Sequence, residues 1–258
     1  MKLELQGRVA LVTAGSAGIG LATAKGLHEE GARVAICGRN PERLQAAAEQ
    51  MPGCLAIQAD VLKADEVENL IAKVTGEMDP VEILVNNAGG PRAGSIQSLE
   101  DKDWHEAVEL TLMSVVRVTR LVLPEMQKRR WGRVVNISSY GVKEPVPGLS
   151  LSNSVRMAVL GWAKTLSAQI AADNITVNTV CPGWTRTARV ASLVTRQAKE
   201  TGASAETIEQ GIAETIPMGR LGEAEEIANL AVFLASGAAS YITGTAIQVD
   251  GGLVRGYA

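Results

Sequence analysis

A glycine-rich segment near the N-terminus has the residue types and spacing of a phosphate-binding turn. It spans Gly15 to Gly20 with the sequence GSAGIG, after an apolar run from Val9 to Thr13 and before a helical pattern. Small residues let the backbone approach a pyrophosphate, and a helix beginning there offers free N–H groups and the positive end of its dipole. Glycines also serve ordinary turns, but the order strand, turn, helix favours a dinucleotide site.

The segment after the second apolar run bears on the type of dinucleotide. Sites selective for NAD usually place an acidic side chain there, which binds the hydroxyls of the adenosine ribose. Here the segment reads Cys37-Gly38-Arg39-Asn40 and contains no acid. A guanidinium can bind phosphate oxygens bidentately, so Arg39 favours NADP(H) over NAD(H). The alternative is a solvated surface arginine.

The chain around these residues alternates between short apolar runs and longer helical patterns. Such alternation is typical of a parallel sheet with helices on both faces, and it predicts a single-domain α/β Rossmann fold over residues 1–258. The predicted strands are Val9–Thr13, Arg33–Cys37, Leu55–Gln58, Ile83–Asn86, Arg133–Ile137, Thr176–Val180 and Ala246–Val249. The predicted helices are Gly18–Glu30, Pro41–Gln50, Ala64–Glu77, Trp104–Lys128, Ser152–Asp173 and Ala224–Ala235.

One long segment, Trp184 to Gly219, departs from the alternation and is polar and helix-prone. Ligands of open α/β sheets bind beyond the carboxyl ends of the strands, so this segment is predicted to be a substrate lid. Its cations suit an anionic substrate, although acidic residues between them favour a solvated amphipathic helix. The cations are Arg186, Arg189, Arg196 and Lys199.

Composition excludes several classes of partner. The 258 residues carry a net charge of −3, which gives no basic surface for nucleic acid or an anionic membrane. No segment has the length of a signal peptide or membrane span, which predicts a cytoplasmic protein. The cysteines, Cys37, Cys54 and Cys181, lack the spacing of a metal or redox site and are interpreted as three buried thiols.

Further motifs occur in the order in which the short-chain dehydrogenase/reductase family has them, and the chain resembles that family over nearly its whole length. The turn is similar to TGxxxGxG, with Ala14 in place of the first glycine. The other matching segments are Asp60-Val61, Asn86-Asn87-Ala88-Gly89 (NNAG), Asn136-Ile137-Ser138-Ser139 (NISS), Pro182-Gly183 with Thr187 (PGxxxT) and Asp250-Gly251-Gly252. The resemblance is strongest to the branch that includes the 3-oxoacyl-acyl-carrier-protein reductases.

The resemblance and the glycine-rich turn together give a set of expected cofactor contacts. The predicted cofactor-binding residues are Thr13, Gly15, Ser16, Gly18, Ile19, Gly20, Arg39, Asp60, Val61, Asn87, Ala88, Gly89, Arg156, Pro182, Gly183, Thr185 and Thr187. No metal site is predicted.

The resemblance also implies a catalytic tetrad of Asn, Ser, Tyr and Lys. In the family the tyrosine is the general acid or base, the lysine lowers its pKa and binds ribose, the serine polarises the carbonyl and the asparagine anchors a water. Ser139 matches the serine. The stretch similar to PGxxxYxxxK has Ser152 and Arg156 at the tyrosine and lysine positions, and counting back from Leu123 to Met126 places Thr111 at the asparagine position.

These substitutions weaken proton transfer. A phenol has a pKa near 10 that a neighbouring cation can lower, whereas an aliphatic hydroxyl such as that of Ser152 is far less acidic. Arg156 can hold ribose hydroxyls but does not shed a proton. Without proton transfer, which contributes ~10²–10⁴-fold, hydride transfer is expected to be slow rather than impossible.

No other residue matches the missing phenol well. Tyr140 follows Ser139 directly, and strand alternation predicts that it points away from the site. Tyr257 lies in the C-terminal tail, where it would have to reach a partner subunit, and Tyr241 lies in a segment similar to the family's assembly surface. The two histidines, His28 and His105, are expected on helix surfaces.

Three functions remain open. The first is an NADP(H)-dependent oxidoreductase with an atypical site, acting on a carbonyl, an alcohol or an imine that needs little acid catalysis, either as a small molecule or bound to a carrier. The second is an NADP(H)-binding sensor or regulator without turnover. The third is a non-redox lyase or isomerase that uses Ser139 and Ser152 as donors. The family resemblance also implies a homodimer or homotetramer.

Overall fold

The centre of the fold is a sheet of seven strands, described by a computed structural model for residues 2–256. The strands are β1 (Val9–Val12), β2 (Arg33–Gly38), β3 (Leu55–Gln58), β4 (Ile83–Asn86), β5 (Gly132–Ile137), β6 (Ile175–Pro182) and β7 (Ala246–Val249). Their order is β3-β2-β1-β4-β5-β6-β7, and every neighbouring pair is parallel. The predicted Rossmann-type α/β fold is confirmed.

Nine α-helices connect or cover the strands within the described residues. They are α1 (Gly18–Glu29), α2 (Pro41–Ala48), α3 (Ala64–Glu77), α4 (Asp101–Val108), α5 (Ser114–Arg129), α6 (Ser150–Ile170), α7 (Ala188–Thr201), α8 (Ala205–Thr215) and α9 (Ala224–Leu234).

The helices lie on both faces of the sheet because successive strand residues point to opposite sides. On β1, Ala10 and Val12 belong to one buried cluster, together with Leu27 of α1. Leu11, between them, belongs to the opposite cluster with Val118 of α5. Parallel strands that are buried on both faces read as continuous apolar runs, which is why the sequence pattern located them.

The ligand-binding crevice lies where the strand order reverses. β1 pairs with β2 on one side and with β4 on the other, so the loops that leave β1 and β4 diverge at the carboxyl edge of the sheet. A crevice opens at such a point in doubly wound sheets. The glycine-rich turn follows β1, and the Asn87–Gly90 loop follows β4.

The largest departure from the predicted elements concerns the helix expected over Trp104–Lys128. It begins at Asp101, because Glu100 and Asp103 form a reciprocal capping box at its N-terminus. A π-helical turn at Glu109–Met113 then separates α4 from α5. A single wide turn hardly disturbs apolar periodicity, so the pattern could not reveal it.

The segment predicted to be a lid, residues 184–219, contains two capped helices. Thr187 caps α7 by accepting from the Val190 N–H, and Ser204 caps α8 by accepting from the Thr207 N–H.

Cys54 is only half-buried, unlike Cys37 and Cys181, so one of the three thiols departs from the expected burial. Within residues 2–256 no helix combines the length and apolarity needed to cross a membrane.

Candidate active site

The glycine-rich turn leaves the N-terminus of α1 open to an anion. Ala17 is the N-cap and makes no side-chain capping bond, and the first turn of α1 holds no acidic residue. A Cβ added to Gly20 would lie 2.6 Å from the carbonyl oxygen of Ala14, and Gly18 has a φ of +54°. The uncapped N–H groups and close backbone packing fit a dinucleotide pyrophosphate.

Hydrogen bonds of Asn87 connect this turn to the end of β4. Its amide Nδ2 donates to the carbonyl oxygens of Thr13 and Ala14, each at 3.2 Å. The Thr13 hydroxyl donates to the Asn87 carbonyl at 2.7 Å and accepts from its backbone N–H at 2.9 Å. The shape of the turn is therefore set by a residue 73 or 74 positions away in the chain.

The expected adenosine end of the site lies at the tips of β2 and β3. Arg39 is exposed immediately after β2, and its carbonyl accepts from the Gln58 side chain at 3.1 Å. A Cβ on neighbouring Gly38 would come within 3.2 Å of Ser16 Oγ, so the turn and the Arg39 strand end meet at one corner. Asp60 accepts from the Leu62 N–H at 3.1 Å and lies at the same edge of the sheet.

A cavity of about 320 Å³, which we call the central cleft, extends from the turn to the lid. The predicted site residues that line it are Gly18, Ile19, Asn87, Ala88, Gly89, Ser139, Ser152, Arg156, Pro182, Gly183, Thr185 and Thr187. The predicted site residues outside its lining are Thr13, Gly15, Ser16, Gly20, Arg39, Asp60, Val61 and Thr111. The structure thus brings together three of the four tetrad positions.

Arg156 is a buried cation of the central cleft. It is 9% exposed, and its guanidinium donates to Ser152 Oγ at 3.2 Å and to the Ile137 carbonyl at 3.0 Å. No carboxylate among the described residues forms a salt bridge with it. Burial, reinforced by the neighbouring charge of Arg189, lowers the pKa of Arg156 to about 10, so the group remains charged at neutral pH.

Ser139 and Thr111 have different surroundings. Ser139 precedes a short 3₁₀ turn, Tyr140–Val142, and its Oγ accepts from the Gly141 N–H at 3.0 Å. Thr111 lies in the π turn, 3% exposed, and its hydroxyl has no hydrogen-bond partner in residues 2–256. Thr111 is therefore buried and is not part of the lining of the central cleft.

The expectation that Tyr140 points away from the site is wrong, because Tyr140 lines the central cleft with Ser139 and Ser152. The chain leaves the β-conformation at Ser139, so strand alternation no longer applies at the next residue. The Tyr140 ring packs against Trp184 at a centroid distance of 6.2 Å. Burial raises the pKa of Tyr140 to about 12, although a hydrogen bond with Trp184 acts in the opposite direction.

The four lid cations have different environments. Arg196 is half-buried on α7 and lies outside the lining of the central cleft. Arg186 pairs with Glu209 and Glu223, and Lys199 is exposed away from the cleft. Arg189 lines the cleft, and its Nη2 donates across the cleft to the Pro91 carbonyl at 2.6 Å. Trp184 and Gly90, which sequence analysis did not place in the site, also line it.

Tyr257 lies outside the described residues. Tyr241 is fully exposed and is not part of the lining of the central cleft, while His105 is exposed and His28 half-buried.

Comparisons with known proteins agree with this architecture. Residues 13–254 match the family model described as enoyl-(acyl carrier protein) reductase. The 3-oxoacyl-acyl-carrier-protein reductase of Aquifex aeolicus is 36% identical over 259 residues, covering 98% of this chain and 100% of that protein.

Two solved structures are also similar. An actinorhodin polyketide ketoreductase variant with NADPH has a TM-score of 0.93 and 36% identity, covering 96% of this chain and 98% of that one. L-Sorbose reductase from Gluconobacter frateurii, complexed with NADPH and L-sorbose, has a TM-score of 0.94 and 32% identity, covering 99% and 100%. The chain belongs to the short-chain dehydrogenase/reductase family of NAD(P)-dependent oxidoreductases.

Proposed function

We propose that the protein is an NADP(H)-dependent reductase of carbonyl or imine compounds whose site uses a buried guanidinium and two serine hydroxyls. The observation that carries this proposal is the contact of Arg156 with Ser152 in the wall of the central cleft. The similar ketoreductase and sorbose reductase structures contain NADPH, which supports the choice of cofactor. Arg39, exposed and without an acidic neighbour in its strand end, supports the same choice.

The two serines are oriented to donate to a substrate oxygen. Ser139 Oγ accepts from the Gly141 N–H and Ser152 Oγ accepts from Arg156, and neither hydroxyl donates a hydrogen bond within residues 2–256. NADPH, when bound, supplies the hydride. The positive charge of Arg156 stabilises negative charge that develops on the substrate oxygen, because the buried site screens it little.

Proton supply is the weak part of this site. Arg156 keeps its proton at neutral pH, and a serine hydroxyl is a poor acid. Tyr140 lines the same cleft, but burial raises its pKa to about 12 and so makes it a weaker acid than an ordinary tyrosine. We therefore propose slow reduction of ketones; a protonated imine needs no proton at the reacting atom, but its positive charge is disfavoured beside Arg156.

The test is a titration of NADPH and NADH by fluorescence, followed by a screen of ketones and imines with wild type, Ser139→Ala and Tyr140→Phe. We expect tighter binding of NADPH and a loss of about 100- to 1,000-fold in kcat for Ser139→Ala, as for removal of one donor to an oxyanion. A larger loss for Tyr140→Phe than for Ser139→Ala would assign the proton to Tyr140. Equal NADPH and NADH affinities would contradict the cofactor assignment.

A second candidate is an NADP(H)-binding sensor without turnover. It is favoured by one observation: the turn keeps Gly18 and Gly20 of the family motif, whereas three of the four family tetrad positions hold Ser152, Arg156 and Thr111. Tight NADPH binding with no reduction of any compound in the screen would select this function.

Assembly and location complete the proposal. We propose a single domain that carries both cofactor and substrate sites and acts in the cytoplasm as a homodimer or homotetramer. Met157 on α6 is 50% exposed and Tyr241 is fully exposed, as expected for residues available to a second subunit. Sedimentation equilibrium would contradict this assembly if the protein were monomeric at micromolar concentration.

A further inference from the structure

A second cavity of about 690 Å³, which we call the side cleft, adjoins the central cleft. Arg189 and Leu193 of α7 line both, so the two share a wall. The side cleft is otherwise bordered by the loop after β4, by Gly148 and by the next turns of α7. A substrate whose reacting atom lies beside Ser152 therefore has room to extend past Arg189.

The shared wall is a basic face of α7. Arg189 and Arg196 are seven residues apart, which places them on the same side of the helix, two turns from each other. Burial lowers the pKa of Arg189 and of Arg156, and the charge of the next arginine, Arg196 and Arg189 respectively, lowers each further. Three like charges thus follow one another from the central cleft into the side cleft.

Little negative charge balances these arginines. Arg92, also in the side cleft, is paired with Asp103 at 2.5 Å. Glu200 also lines the side cleft and forms a salt bridge with Arg196, although the 3.8 Å between its Oε1 and Nε is too long for a hydrogen bond. Arg196 Nε is buried and has no acceptor within residues 2–256. The other arginine at the base of the lid, Arg186, is by contrast held by two glutamates.

Arg156 and Arg189 form no salt bridge within residues 2–256, and Arg196 has only the distant carboxylate of Glu200, so a ligand that supplies negative charge gains affinity here. We propose that the substrate carries an anionic group, a carboxylate or a phosphate, which binds between Arg189 and Arg196 while its carbonyl lies beside Ser139 and Ser152. The position of the carbonyl in this assignment rests on the proposed reductase function. The side cleft indicates the class of substrate, one that carries an anionic group. Arg189 uses one N–H of Nη2 for its hydrogen bond to the Pro91 carbonyl, and its other N–H groups can donate to the anion.

Two matched substrate pairs test the proposal with NADPH. Acetoacetate is compared with neutral methyl acetoacetate, and acetoacetyl-CoA with its neutral N-acetylcysteamine thioester. We expect wild type to prefer the charged member of one pair by at least about tenfold in kcat/KM, and Arg196→Gln to abolish most of that ratio, since one charge-assisted bond contributes about 10- to 100-fold. Lys199→Gln, which removes a cation from the same helix outside both clefts, should keep the wild-type ratio within about twofold.

The pair that responds identifies the anion. A preference only within the acetoacetate pair assigns a carboxylate, and one only within the CoA pair assigns a phosphate. If neither pair shows a preference in wild type, or Arg196→Gln leaves the ratio unchanged, the proposal is overturned.

Calorimetric titration of acetoacetate and CoA into NADPH-loaded protein separates this proposal from the reductase function. Binding that Arg196→Gln weakens, without reduction of any of the four compounds, would retain the anion site and contradict the reductase function. Absence of binding by both compounds would overturn the anion site, whatever the activity.

Discussion

Restoring the family's tyrosine and lysine by Ser152→Tyr/Arg156→Lys should increase ketone reduction. Ser152 and Arg156 lie one helical turn apart on α6, with Oγ and Nε separated by 3.2 Å. A phenol introduced at position 152 would enter the wall of the central cleft, directly beside an ammonium at position 156. The adjacent positive charge lowers the pKa of that phenol, which makes it a better acid than the serine it replaces.

The size of the increase follows from the step that is restored. General acid catalysis contributes ~10²–10⁴-fold, and the 8% exposure of Ser152 means that the larger ring must displace neighbours. We therefore expect kcat for methyl acetoacetate to rise at least about tenfold. The rise should be smaller for a protonated imine, which needs no acid.

The assay is the loss of NADPH absorbance, with NADPH affinity measured in parallel. Ser152→Phe/Arg156→Lys is the matched control, because it has the same ring and cation without the hydroxyl. A double variant that binds NADPH like wild type but reduces the ester no faster than this control would refute the view that proton transfer limits the natural site.

Three further outcomes are expected. Arg39→Asp should weaken NADPH binding about 10- to 100-fold and NADH binding little, as measured by fluorescence at low salt. Lys73→Asp makes the same change in charge at an exposed residue of α3 and should change neither affinity. Ala14→Gly should raise the free energy of unfolding by up to about 1 kcal/mol, or about 2–4 °C in Tm, because Ala14 has a φ of +46°; a fall in Tm would contradict this reasoning. Contacts with Arg220 lower the pKa of Glu226 to about 2 from 4.5, so the free energy of unfolding of wild type should fall as pH falls from 4.5 to 2. In urea titrations, Glu226→Gln should lose less of this free energy over the same interval. An equal loss in both proteins would show that the contact does not contribute to stability.

The fold and the cofactor turn were predictable because their signals are local. Strands buried on both faces and a glycine-rich turn between strand and helix can be recognised within short windows. The tetrad positions followed from motif spacing, and Ser139, Ser152 and Arg156 do line one cleft.

Features that depend on tertiary packing were not predictable in this way. The side chain of Tyr140 turns into the cleft because the chain begins a 3₁₀ turn there, which alternation along a strand does not reveal. The spacing of Arg189 and Arg196 shows that they share a helix face, but only the packed structure shows that this face borders both clefts. Thr111 lies on a π turn that a helical periodicity of 3.6 residues does not distinguish from an ordinary one.

The contacts of Asn87 with Thr13 and Ala14 couple the binding turn to the folding of the chain. Their sequence separation of 73 and 74 residues means that the turn acquires its hydrogen bonds only after β4 has paired with β1. Such long-range closure forms late compared with local helices. A nascent chain that ends before β4 would therefore contain the glycine-rich segment and still lack the structure that binds a dinucleotide. Cofactor binding is thus a sign that the first half of the sheet has assembled.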